Sequence, residues 1–192
     1  MRALLKQLVE TESPSRDKAA VDRVGAIVAD ECRRLGADVE IIPSQIAGDH
    51  ILARLQPAAR NAQRPILILC HMDTVFPLGT IQKFPYREAD GKIRGPGVLD
   101  MKSGIVIALT ALANRAADTR PVWALFNSDE EIGSHTSRAH IERLARQCEV
   151  VFVLEGALAD GSLKTWRKGV GEFLVRARGR AAHAGGDHQA GR

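Results

Sequence analysis

Each of four segments, three apolar runs and a glycine-rich turn, ends in a histidine or carboxylate cluster. No other feature of the chain restricts its fold as tightly. Ile66-Leu67-Ile68-Leu69-Cys70 leads into His71-Met72-Asp73-Thr74. The turn Gly95-Pro96-Gly97-Val98-Leu99 leads into Asp100. Val122-Trp123-Ala124-Leu125-Phe126 leads to Asp129-Glu130-Glu131, and Val150-Val151-Phe152-Val153-Leu154 ends at Glu155-Gly156. Apolar runs of this length between helical patterns read as central strands of a parallel sheet. Ligands of such sheets collect outside the carboxyl ends of the strands. The expected fold therefore gathers one histidine and several carboxylates in one cleft, the donor set of a two-metal hydrolase.

Periodicity fills in the rest. Leu4, Leu5 and Leu8 have helical spacing, and Ser13-Pro14-Ser15 breaks it. Ala20, Val21, Val24, Ile27, Val28 and Cys32 mark one face of a helix over 17–35, stopped by Gly36. Residues 39–42 and 51–55 read as short strands forming an antiparallel pair. Residues 76–97, rich in glycine and proline, read as a long ordered loop with a small hairpin. Helices are expected over 103–115 and 137–147, and the β-α-β-α-β order points to an α/β sheet, mostly parallel and flanked by helices. Beyond Glu155 the texture changes, and 162–166 and 171–177 read as half-exposed alternating strands. A domain boundary is placed near residues 156–165, dividing 1–160 from 161–192.

A chain of 192 residues with 45% hydrophobic content can bury a core. The net charge of +4 is mild, and with no groove-reading motif or aromatic platform no nucleic-acid partner is expected. Cys32, Cys70 and Cys148 are far apart and odd in number, which favours reduced core thiols and a cytoplasmic location. Residues 1–10 do not form a secretory signal, and no apolar stretch approaches membrane-span length.

The individual residues carry two readings each. His71 and Asp73 share one face of a strand, so Asp73 can hold the ring nitrogen that a metal does not use; a turn-forming Asp serves as well. Asp100 is a helix N-cap or a carboxylate bridging two metals. Asp129-Glu130-Glu131 is a solvated acidic turn, or a split pair in which one acid binds metal and the other acts as general base. Glu155 follows a wholly apolar run and needs a partner. His183 lies among small residues. His50, His135, His140 and His188 show no partner spacing and are read as surface residues.

In combination these segments resemble a family. His71-Met72-Asp73-Thr74, the stretch from Gly95 to Gly104, the stretch from Asn127 to Ser134, Leu154-Glu155-Gly156 and the stretch from Gly179 to Gly185 are similar to the di-zinc metallopeptidases. That family includes glutamate carboxypeptidases of the G type, aminoacylases, acetylornithine deacetylases and succinyl-diaminopimelate desuccinylases. The resemblance runs from Leu8-Val9-Glu10 to the last residue. It implies His71 and Glu155 as ligands of one zinc, Glu131 as ligand of a second, and Asp100 as the bridge. It further implies Asp73 as the orienting partner of His71, Glu130 as general base, and His183 as the lid histidine that reaches a neighbouring subunit's site in a homodimer. Zinc is the implied cofactor, with Co2+ or Mn2+ as substitutes.

The implied reaction is hydrolysis of a peptide or N-acyl amide next to a free carboxylate. Residues 164–169 most resemble the glutamate-carboxypeptidase branch. An N-acyl-amino-acid deacylase stays open, as does a non-catalytic metal-binding remnant. The family pattern also requires a second metal-binding histidine after the lid. The chain is therefore expected to be an N-terminal portion that alone binds at most one zinc tightly, has little activity and tends to associate.

Overall fold

The computed structural model describes residues 1–192 except 58–62, 117–119, 172, 177, 180, 181, 184, 185, 187, 188 and 190–192. Two compact units are present, Met1–Gly156 and Ala157–Arg192.

In the first unit, helix α1 (Arg2–Glu10) buries Leu5, Leu8 and Val9. Helix α2 (Lys18–Arg34) starts where the Asp17 carboxylate accepts the Ala20 amide, and it buries the apolar face expected from its periodicity. Strands β1 (Asp38–Ile42) and β2 (His50–Leu55) form the antiparallel pair. Strand β3 (Ile66–His71) is followed by the one-turn helix α3 (Thr80–Lys83). Strands β4 (Arg87–Ala89) and β5 (Lys92–Arg94) then make the hairpin. Its loop residues Asp90 and Gly91 both have positive φ, as a two-residue hairpin turn requires. Helix α4 (Ser103–Ala113), strand β6 (Val122–Asn127), helix α5 (Arg138–Gln147) and strand β7 (Val150–Val153) complete the unit.

The main sheet has the order β1-β2-β6-β3-β7. Its pairings make four of the five strands run one way, with β2 reversed. Strand alternation divides the apolar side chains between two faces. Ile68, Cys70, Ala124 and Phe126 pack with α1, α2 and α4 on one face. Leu52, Leu67 and Leu125 pack with Leu144 of α5 on the other. Helices thus cover both faces of the sheet, as the sequence pattern implied.

In the parallel ladders His71 pairs with Asn127, and Leu69 pairs with Val153. The carboxyl ends of β3, β6 and β7 therefore finish level. Whatever follows these strands emerges on one edge.

Two expectations need correction. Strand β7 is not a central strand. It pairs with β3 on one side, and among the described residues no strand lies on its other side, so Val150, Phe152 and Val153 are exposed. In the second unit, the described residues of 162–166 and 171–177 form no strand; Glu172 and Ala177 lie outside the described residues. Alternation supplies only propensity, and a strand needs a neighbour to take its backbone hydrogen bonds. Leu163, Trp166, Phe173 and Val175 are exposed. No helix among the described residues is long and apolar enough to cross a membrane.

Candidate metal centre

His71 ends β3 and is 1% exposed. Its ring is held on both sides. Nδ1 lies 3.0 Å from the Asp73 carbonyl and 3.4 Å from the Asp73 carboxylate. Nε2 lies 2.9 Å from Asp100 Oδ1, 3.1 Å from Glu155 Oε1 and 3.9 Å from Glu130 Oε2. One ligand atom each from His71, Asp100 and Glu131 lie within 4.8 Å of one another.

Asp73 is buried, and its two carboxylate oxygens accept the backbone amides of Glu130 and Glu131, each at 3.2 Å. One carboxylate thus faces the imidazole and holds the acidic loop.

The electrostatics are those of a site built for a cation. Burial disfavours a charged His71, yet hydrogen bonds to Asp73 and Glu155 push it up to about 11. Glu130 is raised by burial and by Glu155, Asp73 and Asp100, against the pull of His71. Glu131 is raised by burial and by Asp100. Carboxylates crowded in this way repel one another unless positive charge lies between them. One imidazole nitrogen among carboxylate oxygens suits Zn2+, and also Co2+ or Mn2+. The residues present fit the implied ion.

The fold places each group for a local reason. Asp100 lies in the irregular turn Val98–Lys102. Gly97 opens it with φ +69°, and a Cβ there would meet Thr74 Cγ2 at 2.7 Å. Lys102 closes it: its amide donates to the Gly97 carbonyl at 2.9 Å. The Lys102 side chain is buried, and its ammonium donates to the Leu8 and Thr11 carbonyls at the end of α1, both at 2.8 Å. The α1–α2 junction grips the strand end as well. Ser13 Oγ donates to the Met72 carbonyl, and the Thr74 amide donates to the Ser13 carbonyl, both at 2.8 Å. Glu12 accepts the Gly79 and Ile81 amides.

Of the residues expected in the site, His71, Asp73, Asp100, Glu130, Glu131 and Glu155 come together. His183 belongs to the second unit, and its neighbours Ala184 and Gly185 lie outside the described residues. Asp100 does not cap α4, which starts at Ser103 with Lys102 in the cap position. Asp129 turns away from the cluster: its carboxylate takes the Thr136 and Ser137 amides and the Thr136 hydroxyl.

The surface assignment of His50 is wrong. It is 1% exposed and hydrogen-bonded to Ser128 and Thr136, because β2 carries it under the acidic loop. His140 is half-buried, His135 is exposed, and His188 lies outside the described residues. Lys102 and His50 were missed because nothing near them in sequence signals a partner.

An α/β sheet with one histidine and five carboxylates gathered at its carboxyl edge has the donor set of a metal-dependent hydrolase. Residues 67–183 match Peptidase family M20/M25/M40, and the chain belongs to this family of metallopeptidases. Carboxypeptidase G2 of Pseudomonas sp. (strain RS-16) is 31% identical over 188 residues, covering 94% of this chain and 45% of that protein. A probable carboxypeptidase of Aspergillus clavatus is 31% identical over 194 residues, covering 94% of this chain and 41% of its own length. The chain thus spans less than half the length of these relatives. The fold is similar to that of the M20 metallo-carboxypeptidase Sso-CP2 from Sulfolobus solfataricus, with a TM-score of 0.68 at 20% identity over 83% of this chain and 38% of that one. It is also similar to human carnosine dipeptidase 1, with a TM-score of 0.67 at 23% identity over 81% of this chain and 38% of that one.

Proposed function

We propose that the complete protein is a zinc-dependent carboxypeptidase that cleaves an amide bond next to a free carboxylate. The observation that carries this reading is the contact of His71 Nε2 with Asp100 and Glu155, with Glu131 close by and Glu130 beside the cluster. The likeness to two carboxypeptidases supports the substrate class.

His71, Asp100 and Glu155 would hold one ion, and Asp100 and Glu131 would hold part of a second. Zinc, when bound, supplies a Lewis acid that polarises the scissile carbonyl and acidifies water. Asp73 keeps a proton on His71 Nδ1, leaving the Nε2 lone pair free for the ion. Glu130 takes the proton of the attacking water and returns it to the leaving amine; burial and the neighbouring carboxylates raise its pKa, which strengthens it as a base. His183, from a neighbouring subunit of a homodimer, would donate to the carbonyl oxygen as charge develops. Residues 1–160 would form the catalytic portion and 161–192 the start of the lid. The unpaired buried cysteines support a reducing, cytoplasmic setting.

The test uses the complete protein with zinc and a panel of peptides ending in glutamate beside N-acyl amino acids. Release of the carboxyl-terminal residue is expected. Glu130→Gln should lower kcat by about 10²–10⁴-fold with zinc content unchanged. Loss of zinc in that variant would exchange the roles of Glu130 and Glu131. A zinc-loaded wild type that cleaves nothing in the panel would sink the carboxypeptidase reading.

A further inference from the structure

We propose that His50 is a positioning residue for the loop that carries Glu130 and Glu131, acting through the hydroxyls of Ser128 and Thr136. The proposal rests on the assignment of Glu131 to the metal.

His50 opens β2 and is 1% exposed. Its two ring nitrogens reach the two ends of the acidic loop. Nδ1 lies 3.0 Å from Ser128 Oγ, one residue before Asp129. Nε2 lies 3.1 Å from Thr136 Oγ1, where the loop returns. The loop closes on itself between these points, since the Ser134 amide donates to the Asp129 carbonyl at 2.7 Å. From the other side Asp73 takes the amides of Glu130 and Glu131. The arc bearing the two acids is therefore held between Asp73 and His50.

Counting protons fixes the Nδ1 side of the ring. Ser128 has one hydroxyl proton and gives it to the Gly48 carbonyl. Towards His50 it can only accept, so Nδ1 carries the hydrogen. The neutral ring then presents a lone pair at Nε2, and among the described residues the Thr136 hydroxyl faces it. Asp129 Oδ2 also faces that hydroxyl, at 2.8 Å, but it keeps the Thr136 and Ser137 amides whichever way the hydroxyl turns. With its proton on Nδ1, a neutral His50 donates to Ser128, and its Nε2 shares the one Thr136 hydroxyl proton with Asp129 Oδ2. The ring also fixes the distance between Ser128 and Thr136. A leucine of similar bulk would fill the space and leave both loop ends free to drift by tenths of an ångström, which is enough to spoil ligand geometry.

The experiment uses the complete protein in four variants and three measurements: zinc affinity by chelator competition, the thermal midpoint in chelator, and the His50 tautomer by ¹⁵N–¹H correlation NMR. His50→Leu and Thr136→Val are each expected to weaken zinc by about tenfold, with the thermal midpoint measured in chelator little changed. His50→Gln, whose amide can reach Thr136 in place of Nε2, should recover most of the affinity. Thr136→Val keeps His50 in place and carries the test if His50→Leu does not fold.

Glu131→Ala is the control for the underlying assignment. If wild type binds no zinc, or Glu131→Ala binds it as wild type does, the metal assignment and this proposal both fall. If Glu131→Ala loses zinc while His50→Leu and Thr136→Val stay within twofold of wild type, His50 is only a packing residue and the proposal alone falls. A neutral His50 with its proton on Nε2 also overturns it.

Discussion

Asp73 shows how one buried carboxylate can serve two elements. It faces the His71 ring and takes both amides of the acidic loop. Asp73→Ala should therefore weaken zinc by roughly 10–100-fold, and chelator competition measures this directly. Asp73→Asn should fall between, because an amide offers one acceptor oxygen where two amides need acceptors. The thiols give a second prediction. Burial pushes Cys32 up to about 12, and Cys70 and Cys148 are also raised by burial. A thiol reagent at mild alkaline pH should leave all three unmodified in the native protein and modify all three after denaturation. Rapid native reaction would show that these thiols are not core groups. At this scale the gathering of His71, Glu130, Glu131 and Glu155 was legible in the sequence, because they end or follow β3, β6 and β7, whose carboxyl ends the parallel ladder brings together, and Asp100 was legible from its glycine-rich turn. His50 and Lys102 were not legible. The partners of His50 lie 78 and 86 positions away, and those of Lys102 lie 94 and 91 away. A lone His or Lys in a sequence carries no trace of such distant partners.

At the level of elements, α4 and the end of β7 approach unusually closely. A Cβ on Gly104 would lie 2.2 Å from the Leu154 carbonyl oxygen, a backbone atom that no rotamer change can move. Leu154 precedes Glu155. Gly104→Ala should thus cost about 1–3 kcal/mol of stability and also lower zinc affinity, as read by urea unfolding and chelator competition on one sample. Stability loss with unchanged affinity would mean that the strain is relieved away from Glu155. The Lys102 ammonium is the other tie between elements, joining the Asp100 turn to the end of α1. Lys102→Met leaves the buried Leu8 carbonyl and the part-buried Thr11 carbonyl without their donor, at about 1–3 kcal/mol for the buried one, and a lower urea midpoint is the expected readout. Strands β3 and β6 were readable because they are apolar throughout and buried on both faces. The β4–β5 hairpin was readable from its turn residues. The residues 162–166 and 171–177 misled, since alternation says that a segment suits a sheet but not that a partner is at hand.

For the whole molecule, His50 also supplies a pH dependence. Burial lowers its pKa, with Asp129 opposing and His140 assisting. The folded state then binds fewer protons than the unfolded state just below the ordinary histidine value of about 6.5. Stability should rise with pH through that window and fall as pH is lowered through it. His50→Gln removes the titrating group, so the thermal midpoint of that variant should vary less between about pH 5 and 7 than that of wild type. Equal slopes would show that other groups set the dependence. The position of β3 bears on the chain's history as well as on its finished form. Both of its neighbours, β6 and β7, come later in the sequence. During synthesis the Ile66–Cys70 segment leaves the ribosome with no strand on either side. It stays open along both edges until residues beyond Val122 emerge. A nascent chain halted in that interval displays a bare apolar strand, the kind of segment that chaperones bind and that other unfinished chains can pair with.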